Sequence, residues 1–352
     1  MSAQEQDTLL QAALAAVCAL WPGDDYHFSA VGGGTQASVW HAVPTTLGAP
    51  EVALRLTPKP APLIARIGDL VDALEGIERP DTLAVSVVEH DGRTWTVHVC
   101  TWIGKGAADR GNPYGLGQDI AQLHEQLGRH GGLSFTDRRL SFERGPIPTD
   151  EQELPAWYVA RHLWRDRIYP TFAGNQEHLR PQPIHGDLHW DNVVAGSNGG
   201  FGFIDFDKIM HAPPAFDLAK LLATGFFAAS AGSVRFQQAR ASDLLDGYRS
   251  VRTLTPAEVA ALEGFIVILN EETARLGHAY DVPGYRAHAD AVGGWLLNRR
   301  RRNPSDPFGI RKSAEASRPP TLDLEQLPEQ LPLIDPEFGL GSDPARGPAA
   351  DG

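Results

Sequence analysis

The sequence predicts an α+β fold in two lobes, a small antiparallel-sheet lobe followed by a mainly helical one. Strand-like runs separated by turn signals are concentrated in the first hundred residues, with one helical stripe among them. Beyond Gly104 the strand signals nearly vanish for about eighty residues and helical stripes replace them. The chain has 352 residues, 42% of them hydrophobic, which is enough to bury a substantial core. The expected divisions are 1–104, 105–318 and a Pro-rich acidic tail over 319–352.

Leu9 to Leu20 is apolar, follows Glu5 and Asp7 instead of a basic segment, and is too short to span a bilayer, so it reads as an amphipathic helix. Phe28 to Ala42 is a strand-like run, a glycine cluster and a second strand-like run. Gly32-x-Gly34-x-x-Ala37 formally matches the dinucleotide fingerprint, but that fingerprint must open a helix, and Ser38 to Ala42 alternates with period two. A hairpin with the glycines at its tip is the better reading. Such a tip either folds backbone amides over phosphates or is simply a flexible turn.

Val52 to Leu56 is the next strand, ending before Pro58. Arg55 inside it is costly unless its guanidinium meets an anion, a phosphate or a carboxylate; the alternative is an edge strand with Arg55 in solvent. Leu63 to Leu74 carries a helical stripe, with Asp69, Asp72 and Glu75 near it as possible partners for Arg55 or as plain surface carboxylates. Leu83 to Val88 and Trp95 to Ile103 bracket Asp91-Gly92, a hairpin turn signal. Gly104-Lys105-Gly106 then reads as a hinge. Leu116 to Leu127 is helical with Leu116, Ile120, Leu123 and Leu127 on one face, and His124 there reads as a core or capping histidine.

The formal charge of −13 argues against broad, sequence-independent nucleic-acid binding, which relies on basic surface. No segment reaches the length of a membrane span. Cys18 and Cys100 lie far apart in apolar surroundings and read as free thiols in a reducing, cytoplasmic compartment. Nothing in the sequence fixes the oligomeric state.

The chemistry is concentrated in residues 182–222. Asp187 and Asn192 lie five apart in a turn after the apolar Ile184, and Asp205 follows at the end of the strand-like Phe201 to Ile204. Two carboxylates and an amide oxygen are hard ligands suited to Mg2+, which keeps several waters and binds few protein groups together with phosphates. His185, Asp187 and His189 offer a zinc alternative, ranked lower because no cysteine accompanies them and Asn192 goes unexplained.

The order of glycine hairpin, basic residue on the next strand, His185-Gly186-Asp187-x-x-x-x-Asn192 and Ile204-Asp205-Phe206-Asp207 resembles the aminoglycoside phosphotransferase and choline kinase group, small-molecule relatives of the protein kinases. Leu116 to His124 is similar to that group's helix ending in Leu-His, and Phe216-Asp217-Leu218-Ala219 to its Asp-Leu-Ala segment. The resemblance spans about residues 28–250. It implies a protein-kinase-like bilobal fold and transfer of the γ-phosphate of ATP to a hydroxyl of a small molecule such as an aminoglycoside, an amino alcohol or a sugar. Asp187 would be the catalytic aspartate, and Asn192 and Asp205 would hold Mg2+ against the phosphates. Gly32, Gly33, Gly34, Thr35 and Arg55 would meet the nucleotide phosphates, with backbone groups of Thr101 to Ile103 at the purine. His185 and His189 would be scaffold, Asp217 a carboxylate for neighbouring backbone amides, and Asp207 either a group beside the metal site or a turn residue.

Arg55 stands where kinases usually carry Lys, and its planar fork leaves the choice between ATP and GTP open. Only nine residues separate Asp207 from Asp217, too few for the segment with which a protein kinase binds peptide. A non-catalytic nucleotide-binding regulator and a protein Ser/Thr kinase are the alternatives. Thr255-Pro256-Ala257-Glu258 is a capping box opening a helix through Leu269. Glu271, Glu272 and Asp281 near its far end are the candidate acceptor contacts, although a solvated helix face is the commoner origin of such residues. Arg299 to Arg302 reads as a charged helix end.

Overall fold

Five strands, β1 (Tyr26–Val31), β2 (Ser38–Pro44), β3 (Val52–Thr57), β4 (Thr82–His90) and β5 (Arg93–Thr101), form an antiparallel sheet in the order β1-β2-β3-β5-β4. The structure is a computed structural model that describes residues 11, 14–15, 20–22, 25–31, 38–46, 48–103, 108, 110–130, 178–197, 199–230, 233–279 and 283–302, without the side chains of 228–230, 233–234, 278–279, 283 and 297–302. Most of the run from Leu9 to Leu20, Cys18, the glycine tip, Gly104 to Gly106, Asp281 and the 319–352 tail therefore lie outside the described residues, as do the side chains of Arg299 to Arg302.

Period-two alternation sorts the sheet into two faces. Trp40 and Ala42 of β2, Val52, Leu54 and Leu56 of β3, and Val97 and Val99 of β5 pack into one cluster. Arg55 pairs across the sheet with His98 on the other face. The edge-strand alternative for Arg55 is thus corrected: β3 is flanked by β2 and β5, and its arginine is half-buried. Between β4 and β5, Asp91 (φ 49) and Gly92 (φ 70) both adopt left-handed backbone, as a tight two-residue hairpin turn requires.

Helix α1 (Ala61–Asp72) connects β3 to β4, starting slightly earlier than the apolar stripe because Pro60 and Pro62 set its first turn. Helix α2 (Pro113–Arg129) opens on the Asn112 side chain, which accepts from the Gly115 amide at 2.9 Å. Three short two-stranded antiparallel pairs follow: β6 (Gln182–Ile184) with β9 (Met210–Ala212), which encloses β7 (Val193–Ala195) paired with β8 (Phe201–Phe203), and then β10 (Phe227–Ser230) with β11 (Ser233–Phe236). Helices α3 (Ala215–Gly225), α4 (Gln238–Val251), α5 (Pro256–Ala279) and α6 (Pro283–Arg302) complete the described chain. The capping box forms as expected, with Glu258 N donating to Thr255 Oγ1 at 3.1 Å and Thr255 N to Glu258 Oε2 at 2.9 Å. A second, larger core joins Leu116, Ile120, Leu123 and Leu127 of α2 to α3, α4 and α5, and takes in Ile67, Leu70 and Val71 of α1. This is the α+β architecture anticipated from the sequence, a small antiparallel sheet with one intervening helix followed by a mainly helical part. Among the described residues no helix is long and apolar enough to cross a membrane.

Candidate active site

Strand β6 delivers Ile184 and His185 into a turn at Gly186 (φ 77), a left-handed position where a Cβ would come within 2.1 Å of the Lys208 carbonyl oxygen. The turn is held from below by Asp217 at the start of α3. Its Oδ2 accepts from His185 N and its Oδ1 from Gly186 N, each at 2.9 Å. The buried His124 adds a third bond, Nε2 to Asp217 Oδ2 at 3.1 Å, and accepts on Nδ1 from Tyr248 Oη at 2.9 Å. His124 and Asp217 therefore serve as a buried brace for the turn. The His185 ring donates from Nε2 to Ile204 O at 2.9 Å and accepts on Nδ1 from Asp187 N at 3.3 Å. Both ring nitrogens are occupied, which removes His185 from the zinc alternative and makes it scaffold.

A short 3-10 turn over Trp190–Asn192 brings Asn192 back beneath Asp187. Asn192 Nδ2 donates to Asp187 O at 2.9 Å and to His189 Nε2 at 3.2 Å, so its amide oxygen is the atom turned to other use. Ile204 N donates to Asn192 O at 3.1 Å, and Val193 pairs with Phe203, which puts Asn192 and Asp205 at the same end of the β7–β8 hairpin.

Asp187 is 6% exposed. Lys220 Nζ donates to its Oδ1, and Lys208 Nζ lies 2.7 Å from its Oδ2. Burial pushes the Asp187 carboxyl up, but the ammonium groups of Lys220 and Lys208 outweigh it and hold the group far below the usual carboxylate range. Burial also lowers His189 below an ordinary histidine, against the pull of Asp187, so it is neutral near pH 7.

Asp205 adopts left-handed backbone (φ 63, ψ 54), a conformation uncommon for a non-glycine residue and one that tends to mark functional positions. Arg55 Nη2 donates to Asp205 Oδ1 at 2.8 Å and to Asp207 Oδ2 at 3.0 Å, and Lys59 Nζ donates to Asp207 O. Burial works to raise the Asp205 carboxyl, but Arg55 more than compensates and the group ends lower than usual. Burial disfavours the Arg55 charge, and Asp207 and Asp205 restore it with margin to spare. The carboxylates that meet Arg55 are thus Asp205 and Asp207, about 150 residues away in sequence. Asp72, considered a partner from the sequence, instead accepts from Thr82 N at 2.9 Å.

The other expected site residues are placed unevenly. Thr101 N donates to Asp81 O at 2.9 Å and Thr101 Oγ1 accepts from Asp81 N, so its amide is committed inside the sheet. Ile103 is half-buried and makes no hydrogen bond among the described residues. Glu271 is 5% exposed on α5, which corrects the solvated-face reading; Glu272 beside it is half-buried. Gly32, Gly33, Gly34, Thr35 and Asp281 lie outside the described residues. Missing from the expectation were three cations, Lys59, Lys208 and Lys220. A compositional signal was present. The sequence has five lysines, Lys59, Lys105, Lys208, Lys220 and Lys312, against 26 arginines, and three of the five meet at this site.

The donor set suits a hard divalent cation: a carboxylate and an amide oxygen at one end of a hairpin, with guanidinium and ammonium groups beside them for phosphate. A model of the phosphotransferase enzyme family matches residues 27–254, which include all of these elements. The chain belongs to the phosphotransferase enzyme family. A curated homoserine kinase from Brucella anthropi is 29% identical to this phosphotransferase-family chain over 205 residues, 58% of this chain and 57% of that protein. The chain thus spans little more than half the length of that relative. Among solved structures, an amicoumacin kinase in complex with AMP-PNP, Ca2+ and Ami superposes with a TM-score of 0.57 at 16% identity, covering 82% of this chain and 93% of the other. A choline/ethanolamine kinase family protein from Mesorhizobium loti gives 0.56 at 16% identity, covering 86% and 99%. These likenesses establish that the family member has the protein-kinase-like fold.

Proposed function

We propose that this chain transfers the γ-phosphate of ATP to a hydroxyl of a small molecule, with Asp187 as the catalytic aspartate. The observation that carries the reading is the placement of two hydrogen-bonded pairs, Asp187 with Asn192 and Arg55 with Asp205, on either side of the His185 ring, which bonds the Asp187 amide and the Ile204 carbonyl just before Asp205. Asn192 and Asp205 would hold Mg2+, which when bound neutralises phosphate charge and orients the transferring group. Arg55 and Lys59 would meet the nucleotide phosphates, and Ile103 is favoured over Thr101 for the purine because the Thr101 amide is committed. In this reading residues 1–104 form the nucleotide lobe and 105–318 the catalytic and acceptor lobe.

Asp187 accepts a hydrogen bond from the acceptor hydroxyl and takes its proton as the oxygen bonds to phosphorus. Its lowered carboxyl range makes it an orienting group more than a strong base, which fits a loose transition state stabilised chiefly by positioning and charge. The homoserine kinase, amicoumacin kinase and choline/ethanolamine kinase relatives support a small-molecule acceptor, as does the short interval from Asp207 to Asp217. The test is a panel of homoserine, choline, ethanolamine, sugars, nucleosides and aminoglycosides offered with Mg·ATP or Mg·GTP. The reading expects ADP or GDP release that depends on one acceptor class. Transfer of the γ-phosphate to protein, followed with γ-labelled nucleotide, or nucleotide binding without transfer to any acceptor, would replace it with the protein-kinase or regulator alternative.

A further inference from the structure

Asp187 carries two ammonium groups that no part of the reading above uses. Each carboxylate oxygen is taken by a different lysine, Oδ1 by Lys220 and Oδ2 by Lys208. Each oxygen can still accept a second hydrogen bond, but a hydroxyl approaching either one meets an ammonium group already seated there, and the lysine held less tightly is the one that can give way. The two lysines are not equivalent. The Lys220 side chain is 16% exposed and that of Lys208 41%. Lys220 projects from α3 one turn after Asp217, the residue that pins the His185–Gly186 turn, so the same helix fixes both the backbone before Asp187 and one of its oxygens. Lys208 ends a three-residue 3-10 turn, Phe206–Lys208, beyond Asp205.

We propose that the lysines act as an asymmetric pair: Lys220 is a positioning residue that stays on Asp187 Oδ1 through the reaction, and Lys208 yields Oδ2 to the acceptor hydroxyl. This deepens the phosphotransferase reading and rests on it. In the step itself the hydroxyl oxygen forms its bond to the γ-phosphorus and passes its proton to Asp187 Oδ2. The bond from phosphorus to the β–γ bridging oxygen breaks, and its electron pair leaves with the nucleoside diphosphate. Lys220 keeps the carboxylate rotated so that Oδ2 faces the reacting oxygen, and its charge offsets the repulsion between Asp187 and the incoming phosphoryl group. Lysine fits this task better than arginine, because an ammonium is a point charge that engages one oxygen, whereas a guanidinium fork tends to clamp both. That preference agrees with the use of lysine at the site in a chain that otherwise favours arginine.

The test compares Lys220→Met, Lys220→Gln and Lys208→Met with wild type, each also combined with Asp187→Asn, using the acceptor that wild type turns over. Lys220→Met is expected to lower kcat about 100-fold or more with KM for ATP within about threefold, and Lys208→Met about tenfold or less. Because Lys220 acts through Asp187, adding Lys220→Met to Asp187→Asn should cost less than about threefold further. A merely structural lysine would give multiplied losses instead. If the methionine variant melts early, the glutamine variant decides: its shorter, uncharged side chain removes the ammonium from Oδ1 while staying polar, and the same loss and the same non-additivity with Asp187→Asn are expected of it. Single Lys220 variants within threefold of wild type, or losses that multiply with Asp187→Asn, overturn the assignment. Equal rates for wild type and Asp187→Asn would instead sink the phosphotransferase reading and the lysine assignment with it.

Discussion

Replacing Asp217 by asparagine keeps size and shape but removes one hydrogen-bond acceptor from the place where the turn is braced. The two carboxylate oxygens receive three donors, His185 N, Gly186 N and His124 Nε2, and the side chain is fully buried. An asparagine retaining its oxygen toward Gly186 turns an NH2 group toward His185 N–H and the His124 ring, setting donors against donors. Two buried donors then lack an acceptor at about 1–3 kcal/mol each, so the expected loss is about 2–6 kcal/mol. Urea unfolding of wild type and Asp217→Asn measures it, with a parallel fall in melting temperature. The same variant shifts the Asp187 turn, so any residual transfer should be slower by about 100-fold, the usual effect of misplacing a reacting group by around an ångström. A loss below about 1 kcal/mol would refute the reasoning, since it would mean the brace is not what orders the turn.

Arg55→Met removes the guanidinium between Asp205 and Asp207, and nucleotide affinity measured by calorimetry should weaken about 10–100-fold, the worth of one or two charge-assisted bonds; unchanged affinity would detach Arg55 from the phosphates. His98 is buried on β5, and burial, aided by Arg55, pushes its ring down to about 4. The unfolded chain therefore binds a proton below about pH 6.5 that the folded chain refuses until about 4, so stability should fall across that interval as pH drops, by on the order of 3 kcal/mol at most. His98→Gln should flatten that part of the pH–stability curve, and an unaltered slope would disprove the assignment. Thr255→Ala breaks the reciprocal capping box of α5 and should cost about 1 kcal/mol in chemical denaturation.

Much of the candidate site was legible as a cluster because its residues are local in sequence. His185, Gly186, Asp187 and Asn192 fall within eight residues, and the constraint that demands glycine acts within the same turn. Arg55 announced itself as a charge inside an apolar strand, but its partners lie in a loop that only the fold brings near. Lys208 and Lys220 carry no local pattern: 21 and 33 residues separate them from Asp187, and the contact depends on where α3 packs. Glu271 misled for another reason. Helix α5 packs against both α3 and α6, so it is apolar on more than one side and its periodicity does not separate solvent from core. The hairpins β1–β2 and β4–β5 were readable from alternation and turn residues, as was the capping box. The three short two-stranded sheets of the helical part were mostly too brief for periodicity to register, and the pairing of β6 with β9 across the intervening β7 and β8 has no local signal at all.

The central claim is that Asp187 directs transfer of a nucleotide's γ-phosphate to a hydroxyl. Phosphorus NMR of the products, with Mg·ATP, the best acceptor of the panel, and either wild type or Asp187→Asn, tests it most directly. A phosphate monoester resonance should grow with ADP in wild type and form at least about 1,000-fold more slowly in the variant, while both bind Mg·ATP with similar affinity. Ester formation at equal rates in the two proteins, or wild-type release of inorganic phosphate alone with every acceptor, would contradict the account.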